Sequence, residues 1–265
     1  MMRKAYNRGS FYPDSCKSLK EMIDGFNLLL KDALRDKTIL SIKPKAIISP
    51  HAGYIYSGFT ANIAHQILAN SKPKRVIVVG PSHHVYFEGV SIALSDYYET
   101  PCGNLLIDSE YSELLKSRFD LVTVSNVHYL EHSTETQMPF IRYYLPEAKV
   151  IELVYGKVDY RVLLEILKFI LSDPLNVVVI SSDLSHFYSL EDAKKLDNIC
   201  LAGVAQKSVE VLDRGCEACG IIGIKSIVEL ARESSLKIKL LDYRTSADAT
   251  GDTKRVVGYM SAVIY

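Results

Sequence analysis

The sequence predicts a three-layer α/β/α fold, with helices on both sides of a mixed, mostly parallel central sheet. Three apolar, β-branched runs each lead to a histidine: AIISPH to His51, VIVVGPSH to His83 and VVVISSDLSH to His186. Such runs are typical of parallel strands that are buried on both faces. Segments with helical spacing of apolar residues lie between them, so strands and helices alternate through most of the chain.

The length and composition indicate an ordinary globular protein. The 265 residues suggest a single domain over 1–265, because the chain has no long linker and no internal repeat. Hydrophobic residues make up 48% and charged residues 23%, which argues against a disordered or fibrous chain. The formal net charge is zero, so the basic excess of a nucleic-acid-binding protein is missing. No apolar run approaches the ~20 residues that cross a bilayer, and no secretory pattern opens the chain. We therefore expect a cytoplasmic protein without a membrane partner.

The first half of the chain begins with an extended segment and continues with alternating elements. Residues through Pro13 are incompatible with a regular helix, whereas apolar residues over 19–30 recur at helical spacing after an N-cap at Asp14 or Ser15. The same spacing predicts helices over 59–70 and 109–117. Apolar runs predict strands over 45–50, 74–80, 90–95, 105–108 and 121–124.

The second half continues the alternation. A helix carrying Met138, Ile141 and Tyr144 precedes a strand over 149–154. The pattern then predicts a helix over 160–171, the histidine-bearing strand over 176–181, a long helix over 190–212 and another over 219–233. An extended segment over 236–244, a polar loop over 245–255 and a final strand over 256–264 close the chain.

The five cysteines do not form the spacing pattern of a disulfide framework. They are an odd number and are scattered along the chain: Cys16, Cys102, Cys200, Cys216 and Cys219. Cys216 and Cys219 form a lone CxxC, which is open to a redox or metal role. Without a second pair nearby, we interpret them as two ordinary thiols at the start of a helix.

The strand-end histidines predict a metal site. In an open α/β sheet, ligands bind just beyond the carboxyl ends of the parallel strands. His51, His83 and His186 all follow buried strands within a few residues, so we expect them to meet at one edge of the sheet. His65 falls within a predicted helix and His128 follows no buried strand, so we interpret both as structural.

Several polar residues near these histidines are candidates for the same site. Asp183 precedes His186 by three residues and can orient an imidazole or act as a base. The segment EHSTETQ over 131–137 either caps a helix or forms a second polar wall through Glu131 and His132. We include His132 with Asp183 and His186 among the catalytic candidates. The candidates for a surrounding pocket are Tyr54, Tyr56, Ser82, His84 and Glu131.

The donor set restricts the metal but leaves a choice. Iron, copper and zinc all accept neutral imidazole. Two histidines with one carboxylate would leave open positions suited to non-haem iron. That carboxylate can come from Asp183, from Glu131 or from Asp248 or Asp252 in the late loop. We expect a divalent metal ion, with iron or copper favoured and zinc as a third option, and no organic cofactor.

The ordered set of motifs resembles the Memo family. The motifs are HAGYIYSG, GPSHH, ETPCGNLLID, EHSTETQMPF, SSDLSHF, ACG and the closing YRTSADATGD followed by VVGY. They cover essentially the whole chain, from Phe11 to Tyr259. In fold, that family is similar to class III extradiol dioxygenases of the LigB type, which carry a metal pocket at the sheet edge. The resemblance implies that His51 and His83 are metal ligands and that Asp183 and His186 lie beside the metal.

The late loop departs from the family pattern. Animal members have a cysteine there, and matching the loop without gaps puts Ala249 at that position, with Asp248 one residue earlier. A thiolate favours copper(I), whereas the carboxylate of Asp248 would suit iron(II) or zinc. The predicted metal ligands are therefore His51, His83, His186 and Asp248.

Two functions follow from the resemblance. The first is a metal-dependent oxidoreductase with a dioxygenase-like site, acting on a small molecule. The second is a binding protein without turnover that keeps the pocket for a peptide or small ligand, as animal members of the family suggest. Because the same fold hosts unrelated reactions, the resemblance leaves open whether the protein is an enzyme.

Overall fold

A central sheet between two layers of helices organises the structure, a computed structural model that describes residues 1–33 and 37–265. Within these residues nine strands form the sheet. They are β2 (Ala46–Ser49), β3 (Arg75–Pro81), β4 (Val90–Ile92), β7 (Leu121–Val122), β8 (Lys149–Tyr155), β9 (Asn176–Ser181), β10 (His186–Tyr188), β11 (Ile238–Thr245) and β12 (Val256–Ile264). A second, small sheet contains β1 (Met2–Arg3), β5 (Tyr97–Tyr98) and β6 (Leu105–Leu106).

The strands of the large sheet run in the order β10-β12-β2-β9-β3-β8-β4-β7, and β11 pairs with β12. The four central strands β2, β9, β3 and β8 are parallel. β12 is antiparallel to β2, and β4 is antiparallel to β8. The carboxyl ends of the four parallel strands therefore lie along one edge, where ligands bind in open α/β sheets.

The helices lie on both faces of this sheet. They are α1 (Cys16–Ala33), α2 (Tyr54–Leu68), α3 (Ser109–Arg118), α4 (Ser125–Tyr129), α5 (His132–Glu135), α6 (Met138–Tyr144), α7 (Tyr160–Ser172), α8 (Leu190–Gln206), α9 (Val209–Leu212), α10 (Ile221–Glu233) and α11 (Ala247–Thr250). Two 3-10 helices cover Lys37–Ser41 and Ala69–Ser71.

Alternate residues of the parallel strands enter two separate cores, because successive side chains of a strand point to opposite faces. On one face, Ile48, Val79 and Ile180 pack with α7 and α10. On the other face, Ile47 and Val78 pack with α2 and α6. The arrangement confirms the three-layer α/β/α fold with a mixed, mostly parallel sheet.

Most predicted elements are present, and two helix predictions are wrong. Strands β9 and β12 have the predicted bounds, and Ser15 caps α1 by accepting a hydrogen bond from Ser18 N. α2, however, begins at Tyr54 rather than at Phe59, so the predicted HAGYIYSG loop is mostly helical. The helix predicted over 190–212 is two helices, because Lys207 takes a left-handed conformation and Ser208 caps the second.

The prediction about the cysteines is also wrong. Cys16 is bonded to Cys102, and Cys200 is bonded to Cys216. Cys216 is therefore not an ordinary thiol, whereas Cys219 is free. The partners lie 86 and 16 residues apart in the sequence, and such connectivity is not readable from spacing alone.

None of the helices in the described residues combines the length and the apolar character needed to span a bilayer.

A buried ionic cluster anchors the amino-terminal segment to the rest of the fold. Arg3 Nη1 lies 3.2 Å from Glu135 Oε2, and Arg3 Nε lies 3.7 Å from Glu152 Oε2. Glu135 also accepts hydrogen bonds from Asn7 N at 2.6 Å and from the Tyr12 hydroxyl at 2.7 Å. One buried carboxylate thus holds both a cation and the backbone of the segment that precedes α1.

We expect the Glu135→Ala variant to lose about 3–5 kcal/mol of unfolding free energy, because it leaves the buried Arg3 guanidinium without one of its two carboxylates. Urea denaturation measures the change. The exposed Glu147→Ala is the matched control and should change stability by less than about 0.5 kcal/mol. Equal, small effects of both substitutions would contradict the anchoring role of Glu135.

Candidate metal centre

The carboxyl ends of two central strands deliver the first two histidines of the site. His51 follows β2 with one residue between them, and His83 follows β3 in the same way. The two imidazole rings lie 5.1 Å apart between centroids and are nearly perpendicular. The prediction that these strand-end histidines meet at one edge of the sheet is confirmed.

The third histidine beside them is His132, the first residue of α5. Its ring centroid lies 4.4 Å from that of His83 and 5.5 Å from that of His51. Each of the three residues offers one nitrogen, and these nitrogens lie within 4.8 Å of one another. Among the described residues, His51, His83 and His132 form the group of metal-binding side chains that could hold a metal ion.

Hydrogen bonding fixes the tautomer of His51. Its Nδ1 lies 2.9 Å from Ser181 Oγ, and that hydroxyl donates its own proton to the carbonyl of Ser133. Ser181 Oγ must therefore accept from His51, so Nδ1 carries the proton. Nε2 of His51 keeps its lone pair, which is the state that a metal ligand needs.

A second layer of hydrogen bonds holds Ser181 in place. The Gln137 side-chain amide donates to Ser181 Oγ at 2.9 Å and to the carbonyl of Pro50 at 2.9 Å. Its Oε1 lies 2.8 Å from His65 Nε2. His65 is buried in α2, as its structural interpretation requires, but it also supports the network behind His51.

Glu131 orients His83. Its Oε1 lies 2.8 Å from His83 Nδ1, and its Oε2 accepts from His83 N at 2.6 Å. Burial alone would raise the pKa of Glu131, but its hydrogen bonds with His83 and the charge of that ring lower the pKa to about 2. An ionised carboxylate accepts only, so Nδ1 of His83 is the donor, and Nε2 is the ring nitrogen that remains for a ligand. Carboxylates in this position orient metal-binding histidines in many proteins.

The same carboxylate caps α5. Glu131 Oε1 accepts from Ser133 N at 2.9 Å, which satisfies one of the free amides of the first turn. Glu131 Oε1 also lies 3.6 Å from His132 Nδ1. Glu131 therefore fits both interpretations of the EHSTETQ segment, because it caps α5 and also lies beside the histidines.

The close approach of α5 to β3 depends on Gly80. A Cβ at this position would lie 2.5 Å from Ser133 Oγ and 3.0 Å from Ser133 Cβ. Both atoms belong to the residue after His132. Any side chain at position 80 would push His132 away from His83.

Burial keeps the clustered imidazoles neutral. It lowers the pKa of His51 well below the usual value, and His83 adds to the effect. Burial, with His51 and His83, lowers the pKa of His132 to about 3. Neutral imidazoles bind metals, whereas imidazolium does not, so near neutral pH these two residues have lone pairs available.

Asp183 and His186 lie beside the cluster. Asp183 Oδ1 accepts from His51 N at 2.7 Å, and its Oδ2 lies 4.0 Å from His51 Nε2. Burial raises the pKa of Asp183, and the nearby His186 opposes that shift. His186 begins β10 and is partly exposed. The cluster thus contains His132, whereas the sequence placed His186 among the ligands.

The carboxylate of Asp248 forms hydrogen bonds within its own loop. Its Oδ2 accepts from Thr245 N at 2.7 Å and from Thr245 Oγ1 at 3.2 Å, and the residue is exposed. This bonding explains why the carboxylate lies outside the three-histidine cluster. It stabilises the turn between β11 and β12.

The predicted pocket residues have different positions. Tyr54 is buried, and its hydroxyl donates to the carbonyl of Thr136 at 2.6 Å. Ser82 Oγ donates to the carbonyl of Val85 at 2.7 Å and so shapes the loop after β3. The exposed His84 has its ring 5.6 Å from that of His132. Tyr56 is partly exposed and lines a cavity of about 340 Å³.

Two residues near the histidines were missed by the sequence reasoning. Phe11 packs its ring 4.7 Å from His132, and its carbonyl accepts from Tyr54 N at 2.7 Å, so the amino-terminal segment covers the site. Cys219 Sγ lies 3.3 Å from His51 Nε2. The motif that contains each residue was visible, but nothing in the spacing placed either one beside a histidine.

The residues present fit a metal ion. Two nitrogens that share one ion at about 2.1 Å each lie at most ~4.2 Å apart. The three nitrogens lie within 4.8 Å of one another, so they would have to move closer by about an ångström to bind one ion together. The tautomers of His51 and His83 already leave Nε2 free.

The fold and the site together define a class of protein: a three-layer α/β protein with a three-histidine cluster at the carboxyl ends of its parallel strands. The chain belongs to the Memo family, since the family model described as Memo-like protein matches residues 3–263. The resemblance seen in the sequence motifs is thereby confirmed.

Relatives over their whole length are found in bacteria and archaea. A MEMO1 family protein of Aquifex aeolicus is 33% identical over 96% of each chain. One from Methanococcoides burtonii is 35% identical, covering 99% of this chain and 100% of the relative. One from Thermoplasma volcanium is 30% identical, covering 99% and 98%.

We expect Glu131→Gln to weaken metal binding by about 10–100-fold, as is typical when the hydrogen-bonded neighbour of a ligand is altered. Glu131 accepts hydrogen bonds from three N–H groups. In the variant, the NH₂ group of glutamine would face at least one of these donors, and two donors cannot form a hydrogen bond with each other. Titration against a chromophoric chelator measures the affinity. The exposed Glu147→Gln is the control, and equal affinities for the two variants would remove Glu131 from the supporting network.

Because His65 is buried, we expect the free energy of unfolding to decrease in mild acid. Burial lowers its folded-state pKa to about 4, below the unfolded value of ~6.5. Between these pH values the unfolded chain binds the extra proton, so stability falls as the pH drops through this window. The difference amounts to roughly 3 kcal/mol.

The comparison of His65→Gln with wild type isolates this contribution. Urea denaturation in the presence of a chelator, at pH 7, 5 and 4, should show the variant gaining stability relative to wild type as the pH falls. The exposed His84→Gln should follow the wild-type profile. Parallel profiles for wild type and His65→Gln would show that His65 does not titrate in this window.

Proposed function

We propose that this protein is a metal-dependent oxidoreductase that acts on a small oxygenated molecule. The observation that carries the proposal is the convergence of the three imidazoles of His51, His83 and His132 at the carboxyl edge of the parallel strands. Their supporting groups leave Nε2 of His51 and of His83 free. A metal ion bound there would supply Lewis-acid and redox chemistry and open positions for substrate.

The depth of the three histidines gives the site an inner and an outer side. His51 is 1% exposed, whereas the side chains of His132 and His83 are 17% and 27% exposed. A small molecule therefore reaches the cluster from the side of His83 and His132. Phe11 packs against His132 on this side, with the two ring centroids 4.7 Å apart.

Asp183 and His186 are the acid and base candidates in this proposal. Asp183 is 4% exposed and contacts His51 through the backbone amide, so its position is fixed. Burial raises the pKa of this carboxyl group, which favours the protonated form that a general acid needs. His186 is partly exposed, whereas Asp183 is buried, so His186 is the member of the pair that lies nearer to solvent.

A cavity next to this pair offers a place for the substrate. It is lined by Tyr56, Phe187, Ser246, Thr250, Asp252, Arg255, Val257 and Tyr259. Burial raises the pKa of Tyr259, and the charge of Asp183 contributes, so the cavity wall lies near that carboxyl group. Phe187 has a φ of 67°, a strained value for an aromatic residue, and such strain concentrates at functional sites.

The test combines metal analysis with oxygen uptake. Protein purified without added metal is analysed for iron, copper and zinc, and oxygen consumption is then followed with a panel of catechols. We expect a metal-to-protein ratio near one and substrate-dependent uptake. The His83→Ala variant should lose both, whereas Tyr86→Ala, an exposed change in the same loop, should retain both.

Two results would contradict the proposal in different ways. A folded protein that binds none of these metals would remove the metal centre. Stoichiometric metal without oxygen uptake or any other redox turnover would indicate a binding protein that keeps the pocket for a peptide or small ligand.

A further inference from the structure

Two neighbouring cavities open on the outer side of the histidine cluster. The near cavity, of about 430 Å³, is lined by His84, Val85, Asn126, Tyr129 and Leu130. The ring of His84 lies 5.6 Å from that of His132, so the near cavity begins beside the cluster. The far cavity, of about 470 Å³, shares Tyr129 with it. The two cavities therefore extend from the histidines on the side from which a small molecule approaches them.

The far cavity has mainly apolar walls. Its lining includes Met2 and Tyr6 of the amino-terminal segment and Ile92, Ala93 and Leu94 at the end of β4. Ile92 and Ala93 belong to the buried core, so the base of the cavity is part of the packed fold. Concave, mostly apolar cavities of ~300–1,000 Å³ are the usual binding sites of small molecules.

The cationic side chains in the wall of the far cavity already face carboxylates. Arg3 lies 3.2 Å from a carboxylate oxygen of Glu135 and 3.7 Å from one of Glu152. Lys4 Nζ lies 3.9 Å from Glu99 Oε1. Because these charges are paired within the protein, the far cavity favours an uncharged, apolar group over an anion.

Tyr129 joins the two cavities and is held in place. Its ring lies 4.1 Å from that of Tyr6 between centroids. Arg3 Nη1 donates to the carbonyl of Tyr129 at 3.3 Å, and Arg3 Nη2 donates to the carbonyl of Glu131 at 3.0 Å. Although fixed in this way, Tyr129 is 51% exposed, and the neighbouring Leu130 is 47% exposed. Contiguous exposed apolar surface of this kind is typical of a binding surface.

We propose that the substrate of the histidine centre carries an uncharged apolar tail, which lies over Tyr129 in the near cavity and ends in the far cavity. This inference rests on the proposed function and specifies the substrate as an amphipathic molecule with a small oxygenated head. The head lies at the histidines, and the tail is removed from water by Tyr129 and the apolar walls. Because both cavities are concave and of small-molecule size, they fit such a tail better than the surface of a protein partner.

The test measures the contributions of tail and head separately. Calorimetry of the zinc-loaded protein, which is inert to oxygen, gives the affinities of catechol and of its ethyl, butyl and hexyl derivatives. We expect the affinity to rise roughly three- to fourfold for each added methylene. Hexanol has the tail without a chelating head, so it should also bind to the protein after the metal is removed with a chelator. In the zinc-loaded protein, hexylcatechol should displace hexanol, whereas catechol should not.

Two variants of the cavity walls and one matched control identify the place of binding. Leu94→Asp puts a charge into the far cavity and should lower the affinity for hexylcatechol by at least tenfold. Tyr129→Ala removes the exposed ring between the cavities and should lower the same affinity. Leu175→Asp makes the same change as the first variant at an exposed leucine outside both cavities and should bind every ligand as the wild type does. Circular dichroism checks the fold of each variant.

Three results would overturn the inference. Equal affinities for catechol and hexylcatechol, without binding of hexanol, would exclude a tail site and leave the metal centre standing. Binding of hexanol that hexylcatechol does not displace would show that the cavities do not serve the histidine centre. A zinc-loaded protein that binds hexanol but none of the catechols would contradict the proposed function as well.

Discussion

The carboxylate of Glu131 is the interaction on which the geometry of the site depends. It is fully buried, and it accepts from the backbone and the ring of His83 and from Ser133 N. Burying a carboxylate destabilises the folded state unless such donors surround it. Removing one of these donors leaves part of the buried charge uncompensated. The loop after β3 and the start of α5 must therefore stay together, and this brings His83 and His132 into one cluster.

The segment over 131–137 extends this constraint to the rest of the chain. Glu135 holds the amino-terminal segment, and Thr134 Oγ1 donates to Glu152 Oε1 at 2.5 Å. Gln137 reaches the end of β2 and Ser181 at the end of β9. One short polar segment thus connects the amino terminus, three strand ends and two of the clustered histidines.

The sequence identified His51 and His83 because their setting is local: a buried strand followed at once by a histidine specifies both the position and the edge of the sheet. The sequence places His132 among the catalytic candidates rather than the metal ligands, because helix capping explains the polar segment over 131–137 equally well. His186 follows a buried strand too, but three residues after Asp183 the chain enters β10, which pairs antiparallel with β12. Strand-end position alone does not reveal such a turn, and the ligand assignment changed there.

The position of Cys219 shows what spacing leaves undetermined. Its approach to His51 depends on a glycine contact with Ser182 and on a disulfide whose partners are 16 residues apart. None of these is a periodic feature, and each acts only after the sheet and α10 have packed. The sequence therefore determines which strands deliver imidazoles, whereas the position of this thiol beside His51 depends on tertiary contacts of a loop 168 residues away in the sequence.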